Sequence, residues 1–125
     1  MYQTNREKGY KSLEAWKRAN DFVIVVYKYT KLFPKYEEYG LTSQLRRAAL
    51  SVATNIVEGQ ASTSKREFLN FLNISNRSLA ESEYLLEVAK ELSYLSKEQY
   101  EEIENYRYKT GILLNGLARA IRSKL

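Results

Sequence analysis

The segment "SQLRRAALSVATNIVEG", residues 43–59, decides the fold because it forms a helix with three chemically different faces. At about 100° per residue, Leu45, Val52 and Ile56 fall with the intervening alanines on one apolar face, as in a helix that packs on a core. A continuous polar stripe lies beside this face: Gln44, Arg47, Ser51, Asn55 and Glu58. The opposite side carries Leu50, Val57 and Arg46, where a helix facing solvent would be polar throughout.

The same spacing of apolar residues recurs along the rest of the chain. It predicts helices over about 12–32, 42–58, 64–95 and 97–123. The alternation typical of strands persists nowhere. Four helices with short connections predict an all-α, antiparallel up-down-up-down four-helix bundle. The bundle is expected to form a single domain over residues 12–125, after a flexible N-terminal lead-in at residues 1–11.

Local signals mark where these helices begin and end. Pro34 and Gly40 separate the first helix from the second, and Gly59 is predicted to stop the second. An S-x-x-E pattern beginning at Ser64 and an S-x-x-Q pattern beginning at Ser96 are capping boxes, which open the third and fourth helices.

The polar stripe of the second helix is predicted to face the third helix. An antiparallel hairpin that closes near residues 59–63 places Asn55 near Phe68 and Arg47 near Asn76. This register brings Arg47 within a turn of Ser78 and Glu81.

We therefore expect a partly buried Arg47–Glu81 ion pair, with Ser51, Asn55 and Ser78 as hydrogen-bond partners. Such a network fixes helix register even where its net contribution to stability is small. The functional alternative is that the two adjacent arginines are exposed and grip phosphate.

Three helices carry apolar residues away from their core stripe, which predicts a homo-oligomer with a buried subunit interface. The residues assigned to this interface are Phe22, Val25, Tyr29, Arg46, Leu50, Val57, Tyr84 and Val88.

Composition restricts the chemistry that the 125-residue chain can perform. It contains no cysteine and no histidine, so disulfides and the thiolate and imidazole ligands of zinc sites are absent. The Glu-x-x-His motif of di-iron bundles and the phosphate-binding glycine loops are missing as well. The longest uncharged apolar run, "FVIVVY" at 22–27, is too short to cross a membrane, and the polar N-terminus lacks the apolar core of a signal peptide. We expect a cytoplasmic, non-enzymatic protein that needs no cofactor or metal.

Charge is distributed unevenly over the chain. Residues 79–104 carry a net charge of −6, and the remainder carries +11, within a total of +5. In an up-down bundle, the start of helix one, the start of helix three and the end of helix four share one end. That end collects cations suited to phosphate contacts: Lys11, Lys17, Arg18, Lys65, Arg66, Arg119, Arg122 and Lys124.

Two functions are consistent with this charge pattern. Most tyrosines lie toward the other end, away from the cations, so stacking of bases between aromatic rings is not predicted. The first possibility is therefore sequence-independent binding of an RNA or DNA backbone through the basic end. The alternative is an assembly or scaffold module that docks a protein partner without nucleic acid.

Several of the residues discussed above also carry a family resemblance. Leu13 and Trp16, "FPKYEEYGL" at 33–41, "SQLRRA" at 43–48 and "NIVEG" at 55–59 resemble the bacterial 23S rRNA intervening-sequence proteins. The pattern continues through Phe68, Phe71, Leu72, Ser78, Leu79 and Glu81. The resemblance implies a four-helix bundle that assembles into a homopentamer, with no catalytic residues and a molecular function that is mostly unassigned. A distant relative, the accessory protein of diversity-generating retroelements, binds nucleic acid.

Overall fold

A computed structural model describes residues 9–125 and shows four helices packed side by side. They are α1 (Glu14–Thr30), α2 (Leu41–Gln60), α3 (Lys65–Glu91) and α4 (Lys97–Arg122), with short 3₁₀ turns at Gly9–Ser12 and Lys35–Glu37. Each helix packs against its neighbours in the chain, and α4 closes against α1. The predicted all-α four-helix bundle is confirmed. Of the predicted lead-in, residues 1–8 lie outside the described part, and Gly9 to Lys11 belong to the first 3₁₀ turn.

The core runs along the bundle axis and receives large side chains from all four helices. Phe22, Ile56, Leu86 and Ile103 are almost completely inaccessible to solvent. The assignment of Phe22 and Val25 to a subunit interface is wrong, because both are buried inside the monomer. Since α1 packs against both α2 and α4, its apolar face must be wider than a single stripe.

Small residues bring α2 and α3 into close contact. The hydroxyl of Ser75, on α3, donates a 2.7 Å hydrogen bond to the backbone carbonyl of Val52 on α2. Gly59 is buried within α2, and a Cβ atom there would lie 2.7 Å from Cδ1 of Phe68 and 3.0 Å from Cβ of Phe71. Gly59 therefore does not stop the helix as predicted: α2 continues to Gln60, and the glycine permits close approach of α3.

The third helix is shorter than the sequence indicates, because a backbone turn ends it at Glu91. Ser93 has φ of 63°, in the left-handed region. The amides of Ser93 and Tyr94 donate to the carbonyls of Lys90 and Ala89, which is the Schellman pattern of helix termination. Glycine is the usual residue at this left-handed position, so a serine gives little warning in the sequence.

Side chains cap the starts of the third and fourth helices. The capping box at Ser96 and Gln99 is complete. At Ser64 only half is formed: its hydroxyl accepts from the amide of Glu67, but the Glu67 carboxylate reaches Thr63 instead. The fourth helix starts and ends within a residue of its predicted bounds. Within residues 9–125, no helix has the length and apolar character needed to span a bilayer.

Candidate functional site

The cations predicted at one end of the bundle do lie at one end. Lys11 precedes α1, while Lys17 and Arg18 lie in its first turns. Lys65 and Arg66 open α3; Arg119 and Arg122 fall in the last turn of α4, and Lys124 follows it. Because α1 and α3 run antiparallel to α4, these segments converge on the α2–α3 connection. Lys17 and Arg18 are half-buried, and the other six cations are exposed.

Acidic partners are scarce at this end. Lys17 forms an exposed ion pair of 3.5 Å with Glu14 on the same helix. None of the other seven cations forms an ion pair with a residue in the described part of the chain. The eight cations outnumber the acids at this end, which are Glu14 and Glu67 in the first turns of α1 and α3 and Glu58 in the last turn of α2, so the surface keeps a net positive charge.

A polar groove lies between α3 and α4 next to these cations, and the sequence interpretation did not include it. Its volume is about 210 Å³. The floor is apolar, and the walls are lined by amides and guanidinium groups: Leu72, Asn73, Asn76, Leu114, Asn115, Ala118, Arg119 and Arg122. The sequence does contain a signal for this groove. Asn73 and Asn76 are three residues apart on α3, and Asn115 and Arg119 are four residues apart on α4, so each of these two pairs lies on one helix face.

No carboxylate lines the groove. Its polar side chains make no side-chain hydrogen bond to one another or to any other residue from 9 to 125. The groove therefore presents uncommitted donors, from guanidinium and amide nitrogens, together with amide oxygens that can accept.

Of the five residues in the predicted polar network between α2 and α3, three are joined by hydrogen bonds in the structure: Ser51, Asn55 and Ser78. The hydroxyls of Ser51 and Ser78 share a hydrogen bond of 2.7 Å, and the Asn55 amide donates to the backbone and the hydroxyl of Ser51. The expected Arg47–Glu81 ion pair is wrong: both side chains are exposed and no ion pair joins them.

The register of the hairpin also differs from the prediction, although the difference does not separate Arg47 from Glu81 along the bundle axis. Gly59, rather than Asn55, faces Phe68, so α3 is displaced by about one helical turn from the predicted register. Ser51 and Ser78 then meet at the edge of the contact between the two helices, and Arg47 points to solvent beside it.

Arg46, assigned to the subunit interface, instead connects α2 with α1. Its Nε atom donates a 2.8 Å hydrogen bond to the Thr30 hydroxyl. Its guanidinium carbon lies 4.6 Å from the centre of the Tyr27 ring, a cation–π arrangement. The assignment of Arg46 to the subunit interface is therefore wrong, because its guanidinium group contacts α1 of the same monomer.

The other residues assigned to the interface lie at or near the surface. Leu50 is 41% exposed and Tyr84 is 67% exposed, whereas Val57 and Val88 are half-buried. Tyr29 is also half-buried, and its hydroxyl donates to Glu102 on α4. Ile24 and Ile112, which the interpretation did not include, add exposed apolar surface on α1 and α4.

The opposite end of the bundle contains tyrosine–carboxylate contacts. The hydroxyl of Tyr94, in the α3–α4 connection, donates a 2.8 Å hydrogen bond to Glu37, in the α1–α2 connection. Glu37 also accepts from the amide of Leu41 and so caps α2. These contacts, first the bond from Leu41 and then that from Tyr94, lower the pKa of Glu37.

A second tyrosine links α4 to α3. Tyr100 donates to Glu87, and burial followed by this hydrogen bond raises the pKa of its hydroxyl. Each of these tyrosines joins two segments of the fold, so the arrangement is structural. Among residues 9–125, no three carboxylates are clustered so as to hold a metal ion.

The sequence model of the 23S rRNA-intervening sequence protein family matches residues 11–116. Among solved structures, the chain is similar to a protein of unknown function from the S23 ribosomal protein family of Bacteroides thetaiotaomicron VPI-5482. The two chains are 29% identical, with a TM-score of 0.76 and coverage of 84% of this chain and 95% of that chain. A comparison with curated proteins finds no match. The family match includes all of α1, α2 and α3 and most of α4.

Proposed function

The chain belongs to the 23S rRNA-intervening sequence protein family, and from this premise we propose that it is a non-enzymatic, homo-oligomeric bundle that binds the backbone of RNA or DNA through its basic end. The observation that carries the proposal is the collection of cations at that end, of which Lys17 alone has an acidic partner within residues 9–125. Surface cations that are free of internal partners neutralise phosphates and release the counterions condensed on a nucleic acid.

The shape of the basic end favours backbone contacts over readout of bases. Its cations come from the start of α1, the start of α3 and the end of α4, so they form a broad surface and not a single protruding recognition helix. Phosphate contacts position a protein on a nucleic acid and carry no sequence information directly. Binding is therefore expected to be independent of sequence.

A non-enzymatic role is supported by the chemistry of the side chains. The chain lacks histidine and cysteine, and its two tyrosines with strongly raised pKa values donate hydrogen bonds to carboxylates across helix junctions. A raised pKa makes a tyrosine a poor source of tyrosinate, so these groups are unsuited to act as bases at neutral pH.

Fluorescence anisotropy with labelled RNA and DNA duplexes tests the binding proposal. Between about 50 and 200 mM salt, the affinity should fall steeply, with a log–log slope near −0.9 for each phosphate neutralised on DNA. The variant Lys65→Gln/Arg66→Gln should weaken binding and flatten this slope. The matched control Lys31→Gln/Lys35→Gln removes the same charge at the opposite end and should leave the slope nearly unchanged. Absence of binding to any nucleic acid at 50 mM salt would refute the proposal.

Homo-oligomerisation is supported by exposed apolar side chains on every helix, including Ile24, Leu50, Tyr84 and Ile112. The ring of five that the resemblance implies would have a mass of about 73 kDa, five times the 14.6 kDa of the chain. Light scattering coupled to size exclusion measures this mass. Leu50→Lys should shift it toward the monomer, and a monomeric wild type at micromolar concentration would contradict the assembly.

A specific surface favours the alternative, docking of a protein partner. Tyr36 and Tyr39 are 80% and 92% exposed in the α1–α2 connection, and Leu32 and Leu92 are exposed in the two connections at the same end. Under this alternative, Tyr36→Ser/Tyr39→Ser abolishes partner capture, and nucleic-acid binding is absent from the wild type. The anisotropy titration therefore discriminates between the two functions.

A further inference from the structure

We propose that the groove between α3 and α4 holds the sugar–phosphate backbone of RNA and distinguishes RNA from DNA through the ribose 2′-hydroxyl. This inference rests on the proposed function and specifies its ligand. Its basis is the juxtaposition of three asparagine side chains, Asn73, Asn76 and Asn115, with Arg119 and Arg122 over an apolar floor.

The two arginines supply the phosphate contact. They lie three residues apart on α4, so both guanidinium groups project from one side of the helix. Neither forms an ion pair with a residue between positions 9 and 125, and no carboxylate lines the groove. Guanidinium groups bind phosphate oxygens through paired N–H donors. A phosphate at this site would meet donors without displacing an existing partner.

The three asparagines suit a hydroxyl beside that phosphate. A ribose 2′-hydroxyl both donates and accepts, and an amide side chain offers an acceptor oxygen and two donor hydrogens. Asn73 and Asn76 face the groove from α3, and Asn115 faces it from α4. Cations alone would bind RNA and DNA by charge, whereas amides add contacts that a deoxyribose cannot make.

The size of the groove limits what can enter it. Sites that enclose a drug-sized ligand have volumes of about 300–1,000 Å³, and this groove has about 210 Å³. It accommodates part of a polymer backbone, and the base remains outside. Leu72 and Leu114 beneath the floor are almost completely buried, so the contacts available to a ligand come from the polar walls. The ligand is therefore recognised as RNA but not read for sequence.

The experiment compares three duplexes of identical sequence: RNA, DNA and 2′-O-methyl RNA. The methylated duplex retains the A-form geometry but its 2′-oxygen cannot donate, so it separates the hydroxyl from helix shape. At one salt concentration, we expect RNA to bind about three- to tenfold more tightly than either of the other two, the effect of one net hydrogen bond.

Variants then locate the contact. Asn76→Ala/Asn115→Ala should reduce RNA binding to the level of DNA while leaving DNA binding unchanged. Arg119→Gln/Arg122→Gln should weaken RNA and DNA alike. Asn105→Ala is the control, since Asn105 is exposed on α4 and does not line the groove. Circular dichroism verifies that each variant is folded, which is expected because the substituted side chains are exposed.

The outcomes distinguish this inference from the function on which it rests. If RNA, DNA and methylated RNA bind equally, nucleic-acid binding stands and the inference fails. The inference also fails if an RNA preference survives the double asparagine substitution. If no duplex binds at low salt, both the proposed function and the inference fail.

Discussion

The close contact between Gly59 and α3 predicts that replacement by alanine at Gly59 and at Gly116 has opposite effects on stability. In Gly59→Ala, the new Cβ would lie 2.7 Å from Phe68 Cδ1 and 3.0 Å from Phe71 Cβ. Carbon atoms pack at about 3.5–4.0 Å, so the neighbours must retreat by roughly 0.8 Å. Since the Phe71 Cβ is fixed to the backbone of α3, part of this retreat separates the helices.

The expected change in unfolding free energy follows from two opposing terms. Alanine gains about 1 kcal/mol over glycine in helix propensity, and over-packing a close contact costs about 1–3 kcal/mol. Gly59→Ala should therefore destabilise the fold by about 1 kcal/mol. At Gly116 a Cβ would meet no atom within 4 Å, so Gly116→Ala retains the propensity gain and should stabilise by up to about 1 kcal/mol.

Thermal unfolding followed by circular dichroism measures the difference. At about 4 °C per kcal/mol for a chain of this length, the two variants should differ by roughly 8 °C in Tm. All samples need the same protein concentration, because association shifts the apparent Tm. An increase in Tm for Gly59→Ala equal to that for Gly116→Ala would refute close packing as the reason for the glycine.

Three further predictions concern side chains whose structural roles differ from simple expectation. Arg46→Ala should destabilise by about 1–2 kcal/mol through loss of a hydrogen bond and a cation–π contact, whereas Arg47→Ala should stay within about 0.5 kcal/mol of wild type; urea titration compares them. Ser93→Gly should raise the free energy of unfolding by about 1 kcal/mol, and with it the urea midpoint, because glycine adopts positive φ without strain. An unchanged midpoint would contradict the left-handed turn. The lowered pKa of Glu37 contributes stability above its unfolded pKa that is lost as pH falls through the folded value. Glu37→Gln should therefore flatten the decline in the free energy of unfolding below about pH 4.5. Tyr94→Phe should flatten it in part, because it removes only one of the two hydrogen bonds that lower the Glu37 pKa.

The number and order of the helices could be predicted because apolar spacing reports which side of a helix is buried. The same spacing led to error at Phe22 and Val25, where apolar residues beside the main stripe were assigned to a second surface. In a bundle each helix has two neighbours, and α1 packs on α2 and α4. The apolar arc therefore includes both flanks, and only residues beyond it, such as Ile24, are exposed.

Adjacent arginines show the limit of a helical wheel. Successive residues differ by about 100°, so a modest rotation of α2 decides which arginine faces α1 and which faces solvent. The pattern placed Arg47 in the network and Arg46 outside the monomer, and the structure has Arg46 on Thr30 and Arg47 exposed. The groove asparagines were missed for another reason. Polar residues on outer helix faces look solvated in sequence, and only the packing of α3 on α4 makes Asn76 and Asn115 neighbours.

The two ends of the bundle use their polar residues differently, and this bears on how weak sites could act together. At the end formed by the α1–α2 and α3–α4 connections, tyrosines and carboxylates bond to one another across the fold. At the basic end, most charges have no partner within residues 9–125 and remain available to a ligand. If the ring proposed above has its axis parallel to the bundles, the same end of every subunit lies on one face. Each groove then needs only modest affinity, because a backbone held at one subunit reaches the next at high effective concentration.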